Sequence, residues 1–506
     1  MSVRSLFTPM LETHRWPAML SSLFAGSLMT LAYAPFGLSL LVFPLLAFLL
    51  YHWLKADAKG AFVHVWLFAC GATFTGNFWI FFSLYYHGAS PAAFAVLIIV
   101  LLSAFLALFP AVTAYLFNRY CHAADSIRLL IVFPAAWLLA EWFRGYLWTG
   151  YAWMQPGYTQ IDLPLSGYAA VFGTHAIGAL IVLTSGALVA VMLKQLSWKK
   201  ALFTVALIWL AGFALKQVSW TQPAGDKVEV ALIQGNVPQA LKWNRNMHQK
   251  TLEMYRELTL EHKDADVIIW PETAIPDYKH RVTDYLLDMR QLMEQSDTDL
   301  LMGLFIKNMD SGRYYNSVIN ARGGEYLKRH LVPLGEFVPF RSLIDFFNRW
   351  IDIPMSDIDS GPDDQPLLVV AGQPVGLSIC FEDAFSRDVR RDLPEATMLV
   401  NMSNDAWFDG SHESRQHHAM ARMRALETGR YMLRATNTGI SSVIGPHGQE
   451  LMMAAPFEQQ VLRASITPLK GQTPYVFWGD AFILVLAIVL VGAACYGRIV
   501  VDDSKL

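Results

Sequence analysis

The chain has 506 residues, of which 54% are hydrophobic and only 16% are charged. Ordinary globular chains carry roughly 25% charged residues, so this composition indicates that lipid forms part of the solvent. The net charge of −3 points to no nucleic-acid partner. The four cysteines are scattered without a CxxC pair, which excludes a zinc ribbon and a thioredoxin-like redox motif.

Apolar runs divide the chain into three regions. A membrane-spanning helix needs about 20 mostly apolar residues. On this basis we expect a membrane domain of seven spans at 1–218, a soluble domain at 219–473, and a last span with a short tail at 474–506. The eight predicted spans, of which 128–143 is the shortest, are 16–34, 36–54, 61–85, 92–117, 128–143, 166–193, 201–218 and 475–496.

The basic residues of the loops predict the orientation, because cytoplasmic loops are enriched in Lys and Arg. The short loops on one side, around 35, 86–91 and 144–165, hold only Arg144. We therefore expect both termini in the cytoplasm and the soluble domain outside it. The basic residues of the other side are Arg4, Arg15, Lys55, Lys59, Arg119, Arg128, Lys194, Lys199, Lys200, Arg498 and Lys505.

The soluble region alternates short β-rich runs with helical stretches, which is typical of an α/β domain built on a buried sheet. Helices are predicted at 243–262, 280–295 and 414–431. The predicted strands are 228–234, 265–270, 300–306, 315–320, 375–380, 397–403, 439–445 and 460–466.

Three segments of this domain end an apolar run with a reactive side chain. The side chains are Glu272 in IIWPETAIP, Lys328 in EYLKRHLVPLGEFVPF, and Cys380 in VGLSICFEDAF. Catalytic groups collect at the carboxyl ends of strands in open α/β sheets. Taken alone, each has a simpler interpretation, as a solvated Glu, a surface Lys or an inert core Cys.

The predicted membrane topology strengthens the case that Cys380 is functional. The other cysteines, Cys70, Cys121 and Cys495, fall in spans or in a cytoplasmic loop, so none reaches it. An unpaired thiol in an oxidising compartment is a liability unless it is used. Cys380 is therefore the candidate nucleophile.

Together these side chains form a candidate catalytic triad. A thiolate is the reactive form of Cys, and a nearby cation favours it. Glu272 can act as general base, and Lys328 can stabilise the thiolate and an oxyanion. We expect Glu336 and Glu382 to orient Lys328 or the leaving group. No metal or other cofactor is expected, because His412-Glu413 lacks the second histidine that HExxH requires at position 416.

Several segments resemble apolipoprotein N-acyltransferases, whose catalytic domain belongs to the nitrilase, or carbon-nitrogen hydrolase, superfamily. WPETAIP, KRHLVPLGEFVP and SICFED resemble the Glu-Lys-Cys triad of that superfamily. The order of the predicted regions, which is seven spans, a soluble domain and one further span, also resembles that of the apolipoprotein N-acyltransferases. The segments that extend the resemblance over nearly the whole chain are QGNVPQALKW (234–243), YYNSV (314–318), NMSNDAWF (401–408) and ARMRALETGRYMLRATNTGIS (421–441).

The resemblance implies an αββα sandwich in the soluble domain. It implies Glu272, Lys328 and Cys380 as base, cation and nucleophile. Phe381 stands where the family often has Tyr, which puts in doubt an essential hydroxyl there. The resemblance also implies supporting roles for Trp243, Asn316, Glu336 and Glu382.

Four aromatic side chains are candidate lipid-binding residues: Trp153, Trp243, Phe381 and Trp407. Trp243 and Trp407 have an alternative interpretation as loop-packing residues. Trp153 lies in the aromatic loop 144–165, which is either an interfacial belt or a wall of a lipid-facing pocket. The apolar segments PLGEFVPF and DAWFDG are candidate lids over the site.

The implied reaction is ping-pong. A phospholipid, typically phosphatidylethanolamine, acylates the cysteine, and the acyl group then passes to the N-terminal amine of the diacylglyceryl cysteine of an apolipoprotein. The implied protein is a monomer in the bacterial inner membrane, with its catalytic domain in the periplasm. Two other classes remain possible: a membrane-tethered amidase for small soluble substrates, and a transporter or lipoprotein-binding scaffold. Eight spans exceed what the first needs, and few ionisable residues in the spans disfavour the second.

Overall fold

The computed structural model describes residues 16–88, 90–337, 358–408 and 410–503, with side chains described as far as Tyr496. The chain forms two compact units. The first comprises residues up to 81, residues 92–218 and residues from 477 onward, and the second comprises 82–91 and 219–476. Segment 82–91, which the sequence analysis assigned to the third span and the loop after it, thus belongs to the second unit.

The first unit is helical. Among its described residues, four helical segments are long and apolar enough to cross a membrane: Ala92–Tyr120, Asp125–Tyr146, Pro164–Met192 and Trp198–Lys216. The bent pair Ala58–Gly76 and Ile80–His87 makes a fifth if it counts as one span. Within the described residues the other predicted spans correspond to shorter apolar helices, at Trp16–Ala32, Ser39–Lys55 and Ala481–Tyr496. The count of eight therefore stays a prediction.

Apolar side chains cover the outward surfaces of these helices. On the helix Trp198–Lys216, Phe203 is 71% exposed and Leu210 is 65% exposed. A helix that is apolar on its exposed face is stable only when lipid covers that face. Ionisable residues in this unit pair with one another, as in Glu141–Arg144 at 3.1 Å and His175–Asp480 at 3.3 Å.

A disulfide joins Cys121 to Cys495 across a sequence separation of 374 residues. No local pattern in the sequence predicted this pairing. Of the cysteines, Cys70 and Cys380 remain free thiols.

The described part of the second unit contains two six-stranded sheets. The first has the order β13-β2-β3-β4-β5-β6 and the second the order β12-β11-β10-β9-β8-β7, while β1 pairs with β14. The strands are β1 Gln222–Pro223, β2 Val228–Gln234, β3 Val267–Ile269, β4 Asp299–Lys307, β5 Tyr314–Asn320, β6 Glu325–Leu327, β7 Leu368–Val370, β8 Gln373–Ile379, β9 Met398–Ser403, β10 Met432–Thr436, β11 Ser442–Ile444, β12 Glu450–Met453, β13 Gln460–Ile466 and β14 Leu469–Lys470.

Each sheet has a parallel centre. Strands β2, β3 and β4 run parallel, with Val267 opposite both Val230 and Asp299. Strands β8, β9 and β10 also run parallel, with Leu399 opposite both Gly376 and Met432. The carboxyl ends of neighbouring strands therefore meet at one edge of each sheet, where loops can bring reactive side chains together.

The two sheets share one apolar core, which contains Val230 and Ile269 from one sheet and Ile379, Val400 and Leu433 from the other. Helices Arg245–Glu261 and Thr283–Ser296 pack on the outer face of the first sheet. Helices Ser386–Arg390 and Glu413–Thr428 pack on the outer face of the second. The unit is the αββα sandwich that the resemblance implied.

Most of the predicted strands lie within a few residues of observed ones. The helix predicted at 414–431 is wrong at its end: it stops at Thr428, because Gly429 adopts a φ of 63°. Strand β10 then begins at Met432, where the sequence analysis had predicted no strand. The short strands β6, β7 and β12 were also missed.

Candidate active site

Cys380 stands directly after β8 and opens the short 3₁₀ turn Cys380–Ala384. Its φ of 51° lies in the left-handed region, which non-glycine residues adopt at a cost of about 1–3 kcal/mol and mainly at functional sites. The side chain is half-buried. Burial and the charge of Glu272 raise the pKa of the thiol to about 12, while Lys328 and His417 act to lower it. The resting thiol is therefore protonated and needs a base.

Glu272 follows β3 after Trp270 and Pro271 and is largely buried. Its Oε1 atom accepts a hydrogen bond from Nδ2 of Asn316 at 2.7 Å. The Nζ atom of Lys328 lies 3.8 Å from the same oxygen. The carboxylate is thus held in place by an amide, with a cation nearby.

Lys328 follows β6 and is 1% exposed. Its Nζ donates to Oε1 of Glu336 at 2.8 Å. Burial lowers the pKa of Lys328, but the charges of Glu336 and Glu272 outweigh burial and raise it. The side chain is a fixed, buried cation. Its backbone N–H donates to the carbonyl of Asn316, so β5 positions it as well.

Glu336 lies in the loop after Lys328. Its Oε1 accepts from Lys328 and also from Nδ2 of Asn316 at 3.1 Å. Its Oε2 accepts the backbone N–H of Val332 at 2.9 Å. The amide of Asn316 therefore bridges two carboxylates, and Glu336 contacts Lys328 as the sequence analysis expected.

The hydrogen bonds of Glu382 go to the main chain and to a tyrosine. Oε1 accepts the backbone N–H groups of Arg329 and His330, at 2.7 and 3.0 Å. Oε2 accepts from Ile379 N–H at 2.6 Å and from the Tyr326 hydroxyl at 2.9 Å. The carboxylate joins the segment after Lys328 to the strand end before Cys380. The contact with Ile379 has the local spacing of a capping box, whereas the contact with Arg329 joins residues 53 positions apart.

The three candidate tryptophans differ in their exposure and in the side chains that they contact. Trp243 is 46% exposed, and its ring centroid lies 5.9 Å from that of Phe305. Trp407 packs edge-on against His87, with 5.6 Å between centroids. Trp153 belongs to the first unit, is only 2% exposed and packs on Trp79.

Phe381 is buried and packs edge-on against Phe385 and His330. This setting is that of an apolar core residue. The predicted lids are described in part: residues 338–340 of PLGEFVPF and Asp409 of DAWFDG lie outside the described residues.

A second polar cluster, which the sequence analysis missed, contacts the main chain of Cys380. Nδ2 of Asn401 and Nε2 of His417 lie 3.1 and 3.2 Å from the Cys380 carbonyl oxygen. Nε2 of His417 also lies 2.6 Å from Oδ1 of Asp383. Arg434 on β10, which is fully buried, donates to Asp383 and Asn401. The available signal was a charged residue inside the short, mostly apolar run Met432–Thr436, where no strand was predicted.

Asp405, Glu413 and His417 each place one ligand atom within 4.8 Å of the others, which is metal-ligand spacing. The guanidinium of Arg434 already lies among them, 3.3 Å from Asp405 and 2.9 Å from Nδ1 of His417. Burial acts to raise the pKa of Asp405, but Arg434 outweighs it and holds that pKa below its usual range. The group fits an ion network with its own cation better than a metal site.

The arrangement can carry out covalent acyl transfer. Glu272 can accept the proton of the Cys380 thiol, and Lys328 can stabilise the thiolate and a tetrahedral oxyanion. Each of these groups comes from a different strand end, β3, β6 and β8, so the two sheets together form the site.

Two family models match the sequence of the chain. Residues 25–187 match the family model described as Apolipoprotein N-acyltransferase N-terminal domain, and residues 229–475 match Carbon-nitrogen hydrolase. Among solved structures, Saccharomyces cerevisiae Nit3 of the nitrilase superfamily is 16% identical, with a TM-score of 0.36, covering 49% of this chain and 93% of that chain.

Two curated relatives extend over nearly the full length. The apolipoprotein N-acyltransferase of Methylococcus capsulatus is 40% identical, over 95% of this chain and 96% of the relative. That of Azotobacter vinelandii is 36% identical, over 96% of each. Because the identity runs through both the membrane region and the sandwich, the chain belongs to the apolipoprotein N-acyltransferase family.

Proposed function

We propose that this protein transfers a fatty acyl group from a phospholipid, through a thioester on Cys380, to the N-terminal amine of the diacylglyceryl cysteine of an apolipoprotein. The observation that carries the proposal is the buried cluster in which Lys328 lies 2.8 Å from Glu336 and 3.8 Å from Glu272, with the charges of Glu272 and Lys328 both acting on the Cys380 thiol. Family membership supports the choice of substrates.

In the first half-reaction Glu272 takes the thiol proton and the sulfur attacks the ester carbonyl of the phospholipid. Lys328 stabilises the oxyanion that forms. The carbon–oxygen ester bond then breaks. The lysophospholipid leaves as an alcohol with the proton from Glu272, and the acyl group remains on sulfur. Covalent catalysis divides the transfer into two easier steps.

In the second half-reaction the amine of the apolipoprotein attacks the thioester carbonyl. Glu272 accepts a proton from the attacking nitrogen, and Lys328 again stabilises the oxyanion. The carbon–sulfur bond breaks, and the thiol recovers its proton from Glu272. Every proton that Glu272 accepts is returned to the lysophospholipid or to the Cys380 thiol. The scheme therefore requires no cofactor.

The proposed location is the bacterial inner membrane, with the second unit in the periplasm and both termini in the cytoplasm. The basic residues of the predicted loops support this orientation. The proposed donor is phosphatidylethanolamine and the proposed state is a monomer. Both substrates are lipids of the outer leaflet, which agrees with a nucleophile on that side.

Lateral access from the lipid is part of the proposal. Exposing a sixteen-carbon chain to water costs on the order of 10 kcal/mol, at about 0.8 kcal/mol per CH₂. The donor must therefore reach the thiol without leaving an apolar environment. Half-exposed Trp243 offers aromatic surface for this path, whereas Trp153 is only 2% exposed.

The decisive experiment is detection of the acyl-enzyme. The full-length protein with Cys70→Ala is incubated with labelled phospholipid, and the peptide that contains Cys380 is examined by mass spectrometry. We expect acyl mass on this peptide, its loss on addition of an acceptor lipopeptide, and no label in Cys380→Ala. Normal acyl transfer by a correctly inserted Cys380→Ala protein would refute the proposal.

A further inference from the structure

Cys380 is held by its main chain as well as by the groups that act on its thiol. Its carbonyl oxygen accepts hydrogen bonds from Nδ2 of Asn401 at 3.1 Å and from Nε2 of His417 at 3.2 Å. The residue itself has a left-handed φ of 51°. A backbone in this region persists only when its surroundings hold it there.

His417 is suited to this task because it is 1% exposed and surrounded by fixed charges. Its Nε2 atom lies 2.6 Å from Oδ1 of Asp383. On the other side of the ring, Nδ1 faces Oε1 of Glu413 at 3.4 Å, Oδ1 of Asp405 at 3.7 Å and the guanidinium of Arg434 at 2.9 Å. These groups come from the turn after β8, from the histidine's own helix, from the turn after β9 and from β10.

The Nε2 atom carries a proton in either ionisation state of the ring. In the neutral ring Arg434 donates to Nδ1, so the proton resides on Nε2. In the charged ring both nitrogens carry protons, and Arg434, which can only donate, is then left with its bonds to Asp383 and Asp405. In both states the single Nε2 proton is shared between Oδ1 of Asp383 at 2.6 Å and the Cys380 carbonyl at 3.2 Å.

The surrounding charges favour the imidazolium form. Burial and Arg434 act to lower the pKa of His417, but Asp383 and Asp405 outweigh them and raise it well above its usual value. A positive charge here acts on the thiol: it lowers the pKa of Cys380, against burial and Glu272, which raise it.

We infer that His417 is a positioning residue, which holds the strained main chain of the Cys380 nucleophile and supplies a buried positive charge that favours its thiolate. The inference rests on the proposed function, because it takes Cys380 to be the reacting group. It assigns a role to the buried network of Asp383, Asp405, Glu413 and Arg434, which sets the charge of His417.

The test compares His417→Gln with His418→Gln in the full-length, detergent-solubilised protein carrying Cys70→Ala. His418 is the next residue of the same helix, is 4% exposed and bonds Ser442 instead of Cys380. Burial and Arg434 lower the pKa of His418 to about 3, so it carries no charge at neutral pH. The readout is the rate of Cys380 alkylation by iodoacetamide between pH 6 and pH 10, measured on the isolated peptide by mass spectrometry.

We expect His417→Gln to shift the pH profile of alkylation upward by about one pH unit, so that the rate near pH 8 falls roughly tenfold. His418→Gln should leave the profile in place. If the two variants give the same profile, the inference is wrong. Acyl transfer by Cys380→Ala would instead refute the proposed function, without changing this comparison.

Glu413→Gln provides a second variant in case His417→Gln loses its cooperative thermal transition. Oε1 of Glu413 lies 3.4 Å from Nδ1 of His417, so the negative charge of Glu413 favours the positively charged ring. Its direct effect on the thiol has the opposite sign, because removing a negative charge favours a thiolate. An upward shift of the alkylation profile in Glu413→Gln therefore supports action through His417, and an unchanged or downward shift overturns it.

Discussion

The Nζ atom of Lys328 donates a 2.8 Å hydrogen bond to Glu336 and lies 3.8 Å from Glu272. Glu336 is thus the direct ionic partner of the lysine in the resting protein. Glu272 accepts a hydrogen bond from the amide of Asn316, and in the proposed scheme its carboxylate serves proton transfer. We therefore propose different tasks for the two glutamates that flank this one cation.

Glu272→Gln should affect acyl transfer and thiol reactivity in opposite directions. Loss of the general base should slow single-turnover acylation by roughly 10²-fold or more. The charge of Glu272 raises the pKa of the Cys380 thiol, so its removal should shift the pH profile of iodoacetamide alkylation downward. Glu253→Gln, at an exposed position, is the control. An upward shift, or an acylation loss below tenfold, would contradict the assignment.

Lys328→Met should lose roughly 10²- to 10³-fold in single-turnover acylation, the usual cost of removing an oxyanion donor. Glu336→Gln should lose less, because glutamine still accepts a hydrogen bond from Lys328. Thermal unfolding of both variants checks that the buried cluster tolerates the change. Equal losses in the two variants would mean that Glu336 acts directly in the chemistry.

Glu413→Gln should change the pH dependence of stability. Burial and the charge of Asp405 raise the pKa of Glu413 from 4.5 to about 7. The folded state then binds a proton more tightly than the unfolded state, so this stabilisation is complete below pH 4.5 and is lost as pH rises to about 7. The excess Tm of the wild type over the variant should be largest near pH 5 and shrink toward pH 8. A difference that is constant with pH would show that Glu413 does not titrate in this window.

Trp243→Ala and Trp153→Ala should have different phenotypes. Trp243 is half-exposed, so its loss should impair acylation by long-chain phospholipid more than alkylation of Cys380 by a small reagent. Trp153 is buried against Trp79, so its removal should destabilise the first unit by about 3–5 kcal/mol and lower both rates together. Equal losses for Trp243→Ala would assign it to packing.

Reporter fusions test the proposed orientation. A fusion at Gln222 should report the periplasm, and a fusion after Lys505 should report the cytoplasm, because basic residues concentrate in the loops on one side. Matching signals would mean a miscounted span. The segment 128–143 is then the first to re-examine.

Features that depend on local pattern could be predicted from the amino-acid sequence alone. Apolar runs such as 92–117 identify membrane helices because a span needs only length and hydropathy. Short β-rich runs such as 228–234 identify buried strands for a similar reason. Glu272 and Cys380 stood out because each stands at the end of such a run, and the strands of a sheet bring their ends together. Strand β6, which precedes Lys328, was not predicted.

Which distant polar groups meet depends on the fold. Glu382 binds the N–H of Ile379, three residues before it, but it also binds the N–H of Arg329, 53 residues away, and no local spacing announces that contact. The His417 network joins residues from four elements, and its strand β10 was missed because a buried Arg434 interrupts the apolar run. Segment 82–91 belongs to the second unit, although its first residues were predicted to end the third span. Buried charges are stable only when partners distant in sequence surround them, so their positions follow from the fold and not from the local chain.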